Sequence, residues 1–527
     1  MILDLEKLNE HDQILCDLCI VGSGAAGLAV ASQMMRTRIS TVIVESGGLE
    51  QEPPTQALYD VDISGLPHPG ATSGRFRICG GSTTQWGGQT LPFMPIDFER
   101  RDWVPHSGWP ISFDQLIPSY ARACQFLRVD NRNFDTDLLT LLRTLPPAFD
   151  AHRIWYHFSK WSPHPNVREL YLPDLRASDG CTLVLHANVT DIALNRALNH
   201  VETIEIRSLS GRKTTVRARA YVLCVGGIET ARLLLANNRQ CPNGIGNGRD
   251  LVGRFFQDHP STMIGWLKTS NPAKAQQLLN VFHKGGVKYS VRCTAPPQWQ
   301  RENRTLNVSM GTTFVEDGST HQDVKDMYLA VRRGQITPSL LHQLARVGRH
   351  PKAALWSTWH FLTRGRSFAP GARMQIGLTS EQEPNPESRI LLSERTDALG
   401  VRRSNVRWRL TDLTSYTIRR FAKVLRDEFA RAGIGDIQLE DWVVDDSRPW
   451  TDRVSDQFHH IGTARMNDSP RLGVVDCDCR IHDVGNLYIA SSAVFPTSGH
   501  SNPTLTIIAL AMRLADRLKC ELERYSQ

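Results

Sequence analysis

Apolar residues fall in short runs divided by Gly-rich turns at the two ends of the chain, with longer strand-like stretches between. Leu18-Cys19-Ile20-Val21 and Thr41-Val42-Ile43-Val44 have the length and near-unbroken apolar character of strands buried on both faces. Cys181 to Val189 and Val201 to Ile206 also read as strand. Ala218 to Val225 is a further buried strand, and I-E-T-A-R-L-L-L-A after Gly226-Gly227 is helical. Residues 112–128 read as a helix with Ser112 as N-cap and a proline inside it. From 261 to 454 the glycines thin out. Strands are expected at Met263 to Leu267, Thr305 to Val315, Arg373 to Leu378, Ser388 to Leu392 and Arg402 to Arg409, with a helical block at Thr411 to Ala432. An amphipathic helix from Leu505 to about Leu522 closes the chain. Residues 130–175 hold many aromatics and prolines without periodicity and receive no assignment.

The patterning predicts an α/β protein: a doubly wound, Rossmann-like domain with a second, mostly antiparallel sheet domain covered by helices. The first domain is expected to be discontinuous, over 1–110, 181–260 and 455–527. Residues 111–180 and 261–454 are assigned to the substrate-facing domain. A chain of 527 residues is long enough for two such cores.

Composition narrows the function. Hydrophobic content of 41% and charged content of 22% are those of a globular protein. A net charge of +7 over this length, with no basic run interleaved with aromatics, gives no footprint for nucleic acid. No stretch approaches ~18 uninterrupted apolar residues, so no membrane span is expected. The N-terminal M-I-L-D-L-E-K-L-N-E-H-D lacks a basic flank and an apolar signal core, which places the protein in the cytoplasm. The eleven cysteines are scattered and often sit inside apolar runs, so buried thiols are favoured over disulfides. Cys16/Cys19 and Cys477/Cys479 have no partner pair at zinc-site spacing, and no metal is expected. Residues 318–370 carry a basic face with Trp356, Trp359 and Phe361. It reads as a solvated helical excursion, with a partner-binding helix as the alternative.

The chemistry starts at Gly22-Ser23-Gly24-Ala25-Ala26-Gly27. An isolated G-x-G-x-x-G could be an ordinary turn. Here a strand precedes it, a helix follows, and Glu45 ends the next strand 23 residues after Gly22. That is the dinucleotide fingerprint: glycines for the turn, the phosphate approach and the helix packing, and an acid for a ribose. Gly80-Gly81-Ser82-Thr83-Thr84-Gln85-Trp86-Gly87-Gly88 supplies a backbone able to lie against a flat ring. The strand before Gly226-Gly227 repeats the strand–turn–helix shape, as expected at the far end of a bound dinucleotide. Val252 to Pro260 reads as a loop with an Asp258-His259-Pro260 stop.

With F-H-H-I-G-T-A-R-M (458–466) and G-H-S-N-P-T (499–504), these motifs follow one order along the chain. The set resembles the glucose–methanol–choline (GMC) oxidoreductases, which are FAD enzymes. The resemblance implies FAD lying over Gly22, Gly24, Ala25, Ala26 and Gly27, with Glu45 and Ser46 near the ribose. The loop from Gly80, Gly81, Ser82 and Thr83 through Gln85, Trp86, Gly87 and Gly88 would flank the isoalloxazine, and Val189 the adenine. Gly226, Ser491, Pro503 and Thr504 complete the cofactor set, the last two where a helix dipole would steady charge on the reduced ring. The family's base maps to His459 and its partner to Asn502, with His460 and His500 as rivals and pocket-lining groups. An imidazole suits removal of a hydroxyl proton, an amide orients the oxygen, and flavin N5 takes the hydride.

Two departures matter. Where some relatives tie FAD covalently to a loop histidine, this chain has Gln85, so non-covalent FAD is expected. Where many carry an aspartate, it has Ser491. The resemblance leans toward sugar- and polyol-oxidising members, with O₂ or a quinone or redox carrier as electron acceptor. A non-sugar alcohol, or a redox-neutral lyase on the same scaffold, stays open.

Overall fold

The computed structural model describes the chain except residues 9–12, 136–137, 143, 145, 316–358, 360–362, 364 and 525–527. The expectation for residues 318–370 therefore falls mostly outside the described residues.

The first sheet is built on strand Ile14–Val21, whose Leu18, Cys19 and Ile20 are fully buried. It runs parallel to Thr41–Val44 on one side and Lys213–Leu223 on the other. Cys181–Leu185 and Ile2–Asp4 extend the parallel set beyond Thr41–Val44. On the far flank, Val201–Arg207 and Asn188–Leu194 add antiparallel strands, and Leu487–Ile489 pairs with the end of Lys213–Leu223. Parallel strands covered on both faces need continuous apolar runs, which is why these segments were legible. Helices Ala25–Met34 and Thr504–Arg524 pack on this sheet and on each other.

The second sheet is antiparallel. Its order is Asp436–Leu439, Ser261–Lys268, Arg373–Ser380, Val308–Val315, Val287–Thr294, Trp155–Trp161 and Gln89–Thr90, with Phe282–Lys284 hairpinned onto Val287–Thr294. Its inner face buries Phe158, Val291, Met310 and Ile376 against Ile418, Phe421 and Leu425 of the covering helix Asp412–Arg431. The alternation of buried and half-buried residues along Arg373–Ser380 is the signature of a sheet with one apolar and one polar face. A small three-stranded sheet joins Arg389–Thr396, Arg402–Arg407 and Val61–Ile63.

Several segments differ from expectation. The unassigned 130–175 holds strand Trp155–Trp161 and helix Val167–Ala177. In W-Y-H-F-S-K-W both faces carry aromatics, so period-2 alternation is masked. The stretch Cys181 to Val189 is two strands, broken at His186 with φ 55°. Helix Phe113–Phe126, expected with the second domain, packs against Thr504–Arg524, and its Leu116, Tyr120 and Ala123 lie in the first core. No described helix is long and apolar enough to cross a membrane.

Candidate active site

The ends of the central strands open onto a cavity of about 600 Å³. Strand Ile14–Val21 passes into Gly22, at φ 97°, and then helix Ala25–Met34. A Cβ on Gly22 would lie 2.9 Å from the Cys224 carbonyl oxygen, and one on Gly27 only 1.9 Å from that of Gly22. Those two glycines serve backbone packing. A Cβ on Gly24 would meet nothing closer than Gly81 Cα at 4.0 Å, so its missing side chain opens the helix N-terminus to the cavity. The Glu45 carboxylate accepts from Ser23 N (2.9 Å), Ser23 Oγ (2.7 Å) and Gly47 N (2.9 Å), tying the turn to the adjacent strand end. Its oxygens are thus engaged by the chain's own groups, while the residue also lines the cavity. The turn at Gly226-Gly227 is the neighbour of the first turn, not its opposite end, because Lys213–Leu223 pairs directly with Ile14–Val21. An open helix N-terminus, a close glycine approach and two arginines on the cavity lining, Arg75 and Arg77, fit the pyrophosphate of a dinucleotide such as FAD.

Of the residues singled out in the sequence, all line this cavity except Gly27, Gly80, Gly88 and His500. Gly80 and Gly88 shape the loop from within: a Cβ on either would lie 2.9 Å from Arg168 Cβ or 3.0 Å from Pro165 Cβ, respectively. His500 is buried and turned to His157, Nε2 to Nε2 at 3.3 Å. His460 reaches the cavity wall, but its Nε2 has no hydrogen-bond partner among the described residues.

At one end of the cavity stands His459. It follows Phe458, a bulky residue at φ 63°, a strained conformation of the kind found at functional sites. Asp258 clamps the segment by accepting from His459 N and Gln457 N, each at 3.0 Å. Burial alone would raise the Asp258 carboxyl, but the hydrogen bond and charge of His68 hold it well below the usual range. His68 Nε2 is 3.1 Å from Asp258 Oδ2.

The protons of the histidines can be traced. His259 Nε2 lies 3.0 Å from the Ser498 carbonyl oxygen, which only accepts, so that nitrogen carries hydrogen. Burial lowers the His259 pKa and keeps the ring neutral, which leaves a lone pair on Nδ1. His259 Nδ1 is 2.7 Å from His459 Nδ1, so His459 must donate there. The His459 Nε2 lone pair is then left to face the cavity, where it accepts a long hydrogen bond of 3.4 Å from Asn502 Nδ2. Burial and the neighbouring His259 push the His459 pKa down to about 3, so this ring is neutral at physiological pH. The tautomers are assigned from the network.

Sequence reasoning missed four of these groups. Asp258 and His259 were visible as Asp-His-Pro but read as a loop stop. Arg75 and Arg77 line the cavity and stack over Tyr59 at 4.2 and 4.1 Å. Arg77 Nη2 donates to Glu229 at 2.8 Å, while Arg75 Nη1 has no hydrogen-bond partner among the described residues. Their signal was the paired arginines of R-F-R just before the Gly-rich loop.

Residues 384–511 match the sequence profile of the GMC oxidoreductases. The chain is 23% identical to the fructose dehydrogenase large subunit of Gluconobacter japonicus, over 98% of this chain and 99% of that one. It is 23% identical to the 6'''-hydroxyparomomycin C oxidase of Streptomyces lividus, over 96% and 92% of the two chains. The crystal structure of pyridoxine 4-oxidase from Mesorbium loti superposes with a TM-score of 0.60 at 16% identity, covering 95% of this chain and 99% of that one.

Proposed function

We propose that this chain, which belongs to the GMC oxidoreductases and is therefore an FAD-dependent enzyme acting on alcohols, oxidises a hydroxyl of a sugar, glycoside or sugar-derived small molecule to a carbonyl. The observation that carries the reading is the chain Ser498–His259–His459–Asn502, which presents one imidazole lone pair at the cavity wall with only the long Asn502 contact on it. His459 Nε2 takes the hydroxyl proton as general base. The Asn502 amide donates to the same oxygen and orients the alcohol, while Asp258 holds the His459 backbone in place. Bound FAD supplies the hydride acceptor. Gly24, Arg75, Arg77 and the N-terminus of Ala25–Met34, which line the cavity, would hold its pyrophosphate, and Pro503 and Thr504 at the second helix N-terminus would face its ring system. With Gln85 at the loop position, the cofactor is held without a covalent tie.

The relatives named for fructose and hydroxyparomomycin support a sugar-like substrate, with O₂ or a quinone or carrier as acceptor. The test is an anaerobic titration of the purified flavoprotein with sugars and glycosides. Bleaching of the flavin band by one compound, absent in His459→Ala, is the expected result. Bleaching that survives in His459→Ala would remove His459 from the chemistry. Bound flavin that no alcohol bleaches would turn the reading to a redox-neutral reaction. Peroxide formation against dye reduction then identifies the acceptor.

A further inference from the structure

The polar face of the second sheet forms a wall of the same cavity. Gln89 and Trp161 line it, and Gln89 Nε2 donates to Ser159 Oγ at 2.8 Å. Ser159 Oγ meets Ser290 Oγ at 2.7 Å, so the side of Val287–Thr294 that bears Lys288, Ser290 and Arg292 is on this wall. Lys288 Nζ stands 3.3 Å from the centre of the Trp161 ring.

Arg292 is the unusual member. It is the register partner of His157, whose ring contacts His500. One step beyond the Cys293–Met310 pair, Gly311 is its neighbour on the other side, and Gly311 in turn pairs with Gly377. Neither glycine has a positive φ, so the backbone does not demand glycine at these positions. What they provide is room: a Cβ on Gly311 would lie 2.9 Å from Arg292 Nη1. The guanidinium lies across this trough without a hydrogen bond or ion pair among the described residues. Burial lowers its pKa, with no carboxylate near enough to raise it again. Through His157 it stands next to His500, two residues from Asn502 at the reacting end of the cavity. Those histidines cannot supply a counter-charge, because an imidazole is either neutral or cationic. His157 Nδ1 and His500 Nδ1 are themselves buried without partners among the described residues. Arg292 is half-buried; a partly desolvated cation without a counter-charge is costly, and a guanidinium fork matches carboxylate and phosphate oxygens.

We infer that the substrate is a sugar-like alcohol bearing an anionic group, a carboxylate or a phosphate, which Arg292 binds while the hydroxyl sits at His459. This rests on the reading of the site given above. Hydroxyls flanking the anion would satisfy the open Nδ1 atoms of His157 and His500.

The test compares D-glucose, D-glucuronate and D-glucose 6-phosphate on the FAD-loaded protein and on Arg292→Met and Arg292→Lys, each checked for flavin content and melting temperature. Binding is read by calorimetry and hydride transfer by anaerobic bleaching. In the native protein one of the two anions should bind at least ~30-fold more tightly than glucose, as charge-assisted hydrogen bonds allow. Which anion prevails identifies the group. Arg292→Met should erase that charged-over-neutral ratio, and Arg292→Lys should retain part of it. Glucose binding as well as both anions, or a ratio unchanged in Arg292→Met, overturns the inference. Arg292-dependent anion binding without bleaching would leave this inference standing and count instead against the oxidation chemistry.

Discussion

Replacing His259 by phenylalanine removes the lone pair that receives the His459 Nδ1 hydrogen across 2.7 Å. His259 has no exposed surface while His459 is half-buried at the cavity wall, and the phenylalanine ring fills the space that His259 leaves. A neutral hydrogen bond contributes about 1 kcal/mol, and a buried donor left unmet costs about 1–3 kcal/mol. His459 escapes that cost by moving its hydrogen to Nε2 or by turning its ring, and either takes the lone pair away from the substrate. A loss of 1–3 kcal/mol corresponds to roughly 5- to 150-fold in the rate of flavin reduction. His259→Asn keeps an acceptor near the Nδ1 position and should recover most of the rate. The assay is anaerobic stopped-flow reduction with a saturating substrate, alongside ¹⁵N spectra of the imidazoles. Native His459 should carry its hydrogen on Nδ1, and His259→Phe should show the other tautomer or a mixture. Full reduction rate in His259→Phe with normal flavin content, or a native His459 hydrogenated on Nε2, would refute the reasoning.

Gly24→Ala should fold normally but bind FAD at least ~10-fold more weakly, because its methyl enters the approach to the pyrophosphate. Gly27→Ala, whose Cβ would sit 1.9 Å from a carbonyl oxygen, should instead destabilise the fold by about 1–3 kcal/mol or more. Flavin content and melting curves separate the two. Asn502→Ala should retain FAD and lower the flavin-reduction rate by roughly 10- to 100-fold, the loss expected for one oriented hydrogen bond; an unchanged rate would remove it from the site. Burial and the nearby Glu381 raise the Asp97 carboxyl to about 7, above its unfolded value. Its contribution to stability is complete below the unfolded pKa and is lost as pH rises through about 7. Asp97→Asn should therefore gain most in melting temperature, relative to the native protein, at pH 8 and least at pH 5. His459, depressed to about 3, should impose no acid limb on flavin reduction until pH falls far below 6, provided the fold survives.

Local signals were readable in the chain itself. The Gly22–Gly27 turn, the buried strands on either side and the long closing helix each have a short-range cause: a turn with φ above zero, an apolar run, a 3.6-residue period. The candidate chemistry at His459 and Asn502 was visible only through the family resemblance of the motifs around them. What the sequence could not place was whatever depends on long-range register. Strand Trp155–Trp161 hides its two faces behind aromatics on both, and only pairing with Val287–Thr294 shows which of them meets the cavity. His259 is 200 residues from His459, and its part in the site comes from the fold bringing the Asp258 clamp across the Phe458 bend. Arg292 was one arginine among many in a basic chain, and only the sheet register set it beside His157 and Gly311. The sequence by itself determined the Gly22–Gly27 turn, because its geometry is set by backbone a few residues apart. Tertiary structure decided the tautomer of His459 and the placing of Arg292, because both depend on which distant side chains are brought together.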